Sequence, residues 1–389
     1  MNRIAIGLCT AFLLALGGTA LAAARDQSPD GTVFITGVLS GVQADSLKTG
    51  KLLKRFDTGD LPHNLLLSPD GKKVYVTNVG SESVSEIDVR TLTKTKDIRV
   101  GAVPRNAYHD KLGAAAYDAN TCYGCHKARA VGTEPVAMAW AGDRRLLVTE
   151  SHGRKLAVLD PAAGALVREV DFHLPGWSSP SNVAVDPNNH DVWVLHSFLP
   201  PDPKPGVGHT VEEAIMNREF SHAPPLGQHR SYVTVYDPSL HHELKRLSVP
   251  WSIPFGAVFS PDARRLYVAY RSSDVIAVFD TRAMRLERTF KVASSPVGIA
   301  LSKDGRQLYV PCLFQHPAVE QIVDTRTGAV LVSMEVPPSP SRTTVDPRTG
   351  YLYVTATGTN KLLEIDPIKQ ELLRMLPAGL QPLDSVVTP

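Results

Sequence analysis

Pro62-His63-Asn64-Leu65-Leu66-Leu67-Ser68-Pro69-Asp70-Gly71 runs into Val74-Tyr75-Val76-Thr77-Asn78 and then into Val84 to Asp88. Short alternating apolar runs separated by a turn of Ser, Pro, Asp and Gly read as antiparallel strands. The phrase returns at Pro135, Pro180, Pro254, Pro296 and Pro340. Its turns fall at Gly142-Asp143, Asp186-Pro187, Ser260-Pro261-Asp262, Lys303-Asp304-Gly305 and Asp346-Pro347, and its later strands end at Asp160, Asp237, Asp280, Asp324 and Asp366. From Pro254 through Pro296 and Pro340 to Pro382 the spacings are 42, 44 and 42 residues. A period of that length, with four short strands per unit, predicts the blades of a β-propeller.

The two ends of the repeat array complement each other. Leu380-Gln381-Pro382-Leu383-Asp384-Ser385-Val386 reads as an inner strand with nothing after it, while Thr32-Val33-Phe34-Ile35-Thr36 and the strands up to Phe56 lack one. Pairing them completes a blade and removes an exposed sheet edge. The expectation is an all-β chain, a seven-bladed β-propeller closed by its N- and C-terminal strands. A solenoid or two β-sandwiches would leave those complementary ends unexplained.

Tyr75-Val76-Thr77-Asn78 beside Ser68-Pro69-Asp70-Gly71 resembles the YVTN-type β-propeller family over most of residues 23–389. That resemblance implies a fold and no single activity. Thr58-Gly59-Asp60-Leu61-Pro62-His63, followed by Ser68 and Gly71, is similar over one blade to the d-type-haem propeller of periplasmic nitrite reductases and d-type-haem maturation proteins. The resemblance implies a haem-iron ligand at His63. Unlike those reductases, the sequence shows no separate N-terminal cytochrome c domain.

Two intervals exceed a blade. Pro62 to Pro135 is 73 residues and Pro180 to Pro254 is 74, so each carries an insertion, near 105–133 and near 198–230. The first contains Cys122-Tyr123-Gly124-Cys125-His126. Two thiols three positions apart can each add to a porphyrin vinyl group, and the adjacent His126 becomes the proximal iron ligand. A Cys122–Cys125 disulfide or half of a zinc site are the competing readings, and no second Cys pair completes the latter. The haem reading gives one covalent haem c.

The N-terminus agrees with that chemistry. Met1-Asn2-Arg3 is a short basic start, Ile4 to Leu16 is almost wholly apolar, and Gly17-Gly18-Thr19-Ala20-Leu21-Ala22 ends in a small-residue cleavage signal. Residues 1–22 read as a secretory signal peptide, too short in its apolar core to span a membrane, cleaved near Ala22. This places the chain in the periplasm, where haem attachment occurs. Cys9 is lost with the leader, and Cys312 remains beside the haem pair. Without the leader, 40 basic residues face 39 acidic ones, which gives no nucleic-acid or membrane-surface footprint.

In an up-and-down blade, connections between second and third strands leave the same face as connections between blades. Both insertions therefore rise over one mouth of the channel. His63 starts an inner strand there, and His152, His196 and His316 follow second strands; the second insertion adds His209, His222 and His229. His173, His190, His241 and His242 fall elsewhere and read as surface residues. Asn64, Asn182, Arg342 and Asp384 start inner strands, and Arg271 follows a second strand. They either line the mouth, with Arg suited to an anion or a haem propionate, or bond between blades. Cys312 reads as a small buried hydrophobe, with a reactive thiol or soft metal ligand as the alternative.

The distal haem ligand has several candidates. Met216 supplies a thioether that raises the potential of a c-type haem, although Val211 to Met216 also fits a short packed helix. His63 is the alternative distal ligand, as are His209, His222 and His229. The functional expectation is an exported c-type cytochrome on a propeller scaffold. It couples periplasmic electron transfer to oxidation or reduction of a small molecule at the mouth, with His63, Arg342 and Asp384 as catalytic candidates and a periplasmic redox protein as partner. A second metal or tetrapyrrole at the mouth would accompany that role. A non-catalytic electron carrier or docking platform, and a tetrapyrrole-binding or d-type-haem maturation protein, are the alternatives.

Overall fold

The computed structural model describes residues 31–101, 133–151, 153–174, 178–198 and 231–388. The leader, His152, the Cys122-Tyr123-Gly124-Cys125-His126 motif, His209, Met216, His222 and His229 lie outside the described residues.

Seven four-stranded antiparallel sheets form the described structure. We number the blades I to VII from the N-terminus. In blades II to VII the strands follow one another from the inside outward. Blade I is composite: Pro382–Thr388 is its inner strand and pairs with Thr32–Gly37, with Phe34 opposite Val386 and Ile35 opposite Ser385. The expected seven-bladed ring and its closure are both present.

The second and third strands of each blade are sandwiched between neighbouring blades. Both of their faces are therefore buried, and they read as continuous apolar runs such as Val74-Tyr75-Val76. Outer strands face solvent on one side, as the mostly exposed Thr93–Arg99 shows. Apolar clusters fill the seams between adjacent blades. Phe34, Val42 and Phe56 of blade I meet Leu65, Val74 and Val76 of blade II. Across the closing seam, Val33, Ile35 and Leu47 meet Tyr353, Leu362 and Leu376 of blade VII.

The Ser-x-Asp-Gly turns have a local cause. Ser68 Oγ donates to Asp70 Oδ1 at 2.7 Å and accepts from the Lys73 amide at 2.9 Å. Ser302 repeats both bonds with Asp304 and Gln307, at 2.7 and 3.0 Å. Gly71 and Gly305 take φ of 69° and 70°, where a side chain would be strained.

On the opposite face, the residue before the inner-strand proline takes a left-handed conformation in six blades. Leu61, Glu134, Ile253, Ser295, Ser339 and Gln381 have φ between 49° and 62°. Each offers its carbonyl to the amide that follows a second strand, as Leu61 does to Val79 at 3.1 Å and Ser339 to Thr357 at 2.9 Å. A bulge then follows the proline in blade after blade, for instance between Pro62 and Leu65.

Blade VI departs from the expected pattern. Its inner strand is only Ala300–Leu301, although the repeat begins at Pro296. Ahead of it, Pro296 and Val297 still meet Cys312 and Pro311 of the second strand, but Gly298 pairs sideways: its amide donates to Ser341 O at 3.0 Å and Thr343 N donates to its carbonyl at 2.9 Å. The inner strand of blade VI is thus bound to that of blade VII, because Gly298 carries no side chain to hold them apart.

A candidate site at the channel mouth

Each repeat carries, at or near the start of its inner strand, Pro, a variable residue, and a third position that decides the local chemistry. Around the ring from blade II that third position is Asn64, Ala137, Asn182, Gly256, Gly298, Arg342 and, in blade I, Asp384. The bulge leaves its amide without a ladder partner. In four blades a second-strand threonine supplies one: Thr77 accepts from Asn64 N at 2.9 Å, Thr149 from Ala137 N at 3.0 Å, Thr355 from Arg342 N at 3.1 Å, and Thr36 from Asp384 N at 3.0 Å. Three of these hydroxyls also donate to the next blade, Thr77 to Val136 O, Thr355 to Leu383 O and Thr36 to His63 O, at 3.1, 3.0 and 3.2 Å. The threonine of Tyr75-Val76-Thr77-Asn78 is therefore an inter-blade bridge.

Asp384 is the hub of the mouth. Its Oδ2 accepts from Asn64 Nδ2 at 2.6 Å and from Leu65 N at 2.9 Å, and its Oδ1 accepts from Ser385 N at 2.8 Å. Arg342 Nε lies 3.1 Å from Oδ1. Burial pushes the carboxyl up, while Arg342 and the surrounding N–H donors pull it back. Asn64 Oδ1 accepts from Met138 N at 3.1 Å, so one asparagine links blades I, II and III. Asn182 works similarly, donating to Phe255 O at 2.7 Å. For Asn64 and Asn182 the inter-blade role is the observed one, and Asp384 combines it with holding Arg342.

His63 sits beside this hub. Its Nδ1 is buried and has no hydrogen-bond partner among the described residues. Burial first, and the Arg342 charge second, lower its pKa to about 4, against a weaker pull from Val136 and Glu134. The imidazole is therefore neutral at pH 7, with Nδ1 buried and unpartnered. His63, Arg342 and Asp384 start the inner strands of the adjacent blades II, VII and I.

The other candidates do not join them. His196 is fully buried, with Nε2 2.9 Å from Thr234 Oγ1 and its ring edge-on to Phe172 at 4.8 Å. Burial lowers its pKa to about 3. His316 is exposed on a loop of blade VI. Arg271 is buried between the Phe255 and Phe314 rings, 5.6 and 5.1 Å from their centroids, and donates to Ser295 Oγ. Cys312 is a buried free thiol that burial pushes well above the usual range, which fits the small hydrophobe. Among the described residues, no group of three or more His, Cys, Asp or Glu is arranged to hold a metal.

One ionisable group escaped the sequence reading. Glu150 ends the second strand of blade III, is fully buried, and neither carboxyl oxygen has a partner among the described residues. Burial and the neighbouring Glu169 raise its pKa to about 8. Its Oε2 lies where Gly101 and Gly153 lack side chains: a Cβ there would come within 3.2 and 2.6 Å. The signal was present in Val148-Thr149-Glu150, where blade II has Val76-Thr77-Asn78.

Comparison with known proteins agrees on the fold. No protein-family model matches the chain. Over 90 residues, 21% of this chain and 25% of the other, it is 29% identical to the uncharacterized protein YncE of Salmonella typhimurium. The matched stretch thus spans a quarter of that relative. A putative 6-phosphogluconolactonase from Bacteroides fragilis superposes with a TM-score of 0.64 at 16% identity, over 92% of this chain and 98% of that one. The dihydro-heme d1 dehydrogenase NirN in complex with DHE gives 0.58 at 18% identity, over 90% of this chain and 64% of the other. These likenesses define a class: the chain is a seven-bladed β-propeller. Among the described residues, no helix is long and apolar enough to cross a membrane.

Proposed function

We propose that this chain is an exported c-type cytochrome on a propeller scaffold, which moves electrons in the periplasm and acts on a small molecule at the channel mouth. The observation that carries the reading is Cys122-Tyr123-Gly124-Cys125-His126, within the connection that leaves blade II at Gly101 and enters blade III at Thr133. That connection opens on the face that holds His63, Arg342 and Asp384. In this reading Cys122 and Cys125 hold haem c, His126 is its proximal ligand, and Met216 or His63 supplies the distal one. The haem, when bound, would exchange single electrons with a periplasmic redox protein. At the mouth, His63 holds or accepts a proton on a neutral ring, Arg342 orients an anion, and Asp384 fixes Arg342. Cleavage of the leader near Ala22 would release the chain into the compartment where haem is attached.

A second reading is favoured by His63 itself. An unpartnered, neutral, buried imidazole nitrogen suits a metal or tetrapyrrole iron, and NirN, bound to DHE, shares the fold. The chain would then bind a second tetrapyrrole at the mouth, as a maturation protein does.

Pyridine haemochrome analysis of protein produced with a cytochrome c maturation system tests the first reading. One haem per chain should survive denaturation, and Cys122→Ala with Cys125→Ala should abolish it. A mature chain whose mass carries no haem adduct under those conditions refutes the proposal. A non-covalent tetrapyrrole lost by His63→Ala would favour the second reading.

A further inference from the structure

The Arg342 stem crosses the neighbouring inner strand where that strand has Gly298. A Cβ on Gly298 would come within 2.6 Å of Arg342 Cγ and 2.8 Å of its Cβ, so the guanidinium reaches the mouth only because glycine stands there. At its end, Nε is anchored 3.1 Å from Asp384 Oδ1, and Asp384 is itself held by Asn64, Leu65 and Ser385. That leaves the outer edge of the fork. Among the described residues neither Nη nitrogen of Arg342 has a partner, and the side chain is 28% exposed. A guanidinium fixed along one edge and open along the other is preorganised for two parallel bonds to a planar oxyanion.

We propose that the mouth binds the carboxylate of a small organic ligand, bidentate on the Nη edge of Arg342, with the body of the ligand lying toward His63. The inference rests on the reading of the mouth as the small-molecule site and names the substrate class. A single negative charge matches the site better than a phosphate dianion. Asp384 offsets part of the Arg342 charge, His63 is neutral at pH 7, and the Arg271 guanidinium is enclosed by Phe255 and Phe314. Partly exposed Leu383, Val136 and Phe255 occupy the variable position after the proline in blades I, III and V, which suits an apolar ligand body.

Benzoate, with benzamide as its uncharged counterpart and inorganic phosphate as the dianion, probes this in calorimetric titrations of the haem-loaded full chain. Benzoate should bind at least about tenfold more tightly than either control. Arg342→Gln should remove at least about tenfold of that affinity, and Arg342→Lys should fall between. Equal binding of benzoate and benzamide, no benzoate binding, or an unchanged Arg342→Lys and Arg342→Gln pair overturns the inference. Pyridine haemochrome analysis of the same sample separates the two proposals. Haem without benzoate binding defeats this one alone, and benzoate binding without haem defeats the cytochrome reading alone.

Discussion

Replacing Glu150 by Gln should change how stability depends on pH, and the structure gives both sign and size. The carboxyl is fully buried without a partner, and its pKa rises from 4.5 to about 8, first through burial and then through Glu169. A raised acid means the fold holds the proton more tightly than the unfolded chain does. Its contribution is complete below about pH 4.5, declines as pH rises, and is lost above about pH 8. At about 1.4 kcal/mol per pH unit, that window corresponds to on the order of 3–5 kcal/mol. Gln keeps the shape and carries no titrating proton. Urea unfolding at about pH 5.5, 7 and 8.5 should show the parent losing stability across the series and Glu150→Gln losing several kcal/mol less. The variant should overtake the parent at the alkaline end. Glu320, also raised to about 8 by burial, leaves a residual slope in both proteins. Parallel curves for parent and variant across the range would show that Glu150 is ionised in the fold, and the burial argument would fail.

Two further outcomes test the ring and its buried histidines. Deleting residues 381–389 removes the inner strand of blade I and exposes the Thr32–Gly37 edge, so size-exclusion chromatography should show aggregates, and a soluble, cooperatively melting truncation would refute closure as the chief restraint. His196, held at about 3 by burial, contributes stability that is present above pH 6.5 and lost as pH falls through about 3; His196→Gln should move the acid-unfolding midpoint downward, and an unmoved midpoint refutes the assignment.

The ring was legible in the sequence because its cause is local. Ser68, Asp70 and Gly71 form their turn with their own neighbours, and buried strands need apolar runs, so each blade announces itself. The closing blade was legible because Pro382–Thr388 and Thr32–Gly37 each lacked the partner the other supplies. What stayed hidden depends on which neighbour a residue faces. His196 was expected to follow a second strand, yet it lies within Val192–Phe198 and packs in the seam against Phe172, whereas His63 starts an inner strand. Glu150 differs visibly from the Asn78 of blade II. Its meaning, however, needs Gly101 and Gly153, which lie on separate connections. Arg342 and Asp384 do start inner strands, but their ion pair was not readable, since it rests on a contact between strands about 40 residues apart.

The same repeat position sets how neighbouring inner strands meet. Where it is glycine, the inner strands close on each other: a Cβ on Gly256 would lie 2.4 Å from Val297 O, and Gly298 bonds directly to Ser341 and Thr343. Where it is Asp384 or Asn64, the blades meet through side chains, and Asp384 reaches Asn64 and Leu65 across the seam. Blades V to VII thus form a tight arc, close at Gly256 and joined by backbone bonds between VI and VII, while blades VII, I and II meet through polar groups. Arg342 stands at the junction of the two arcs, with its stem over glycine and its head on the aspartate. A propeller with seven equivalent positions would have a uniform, featureless opening. Here, four side chains from three neighbouring blades, His63, Asn64, Arg342 and Asp384, break that equivalence on one side of the ring.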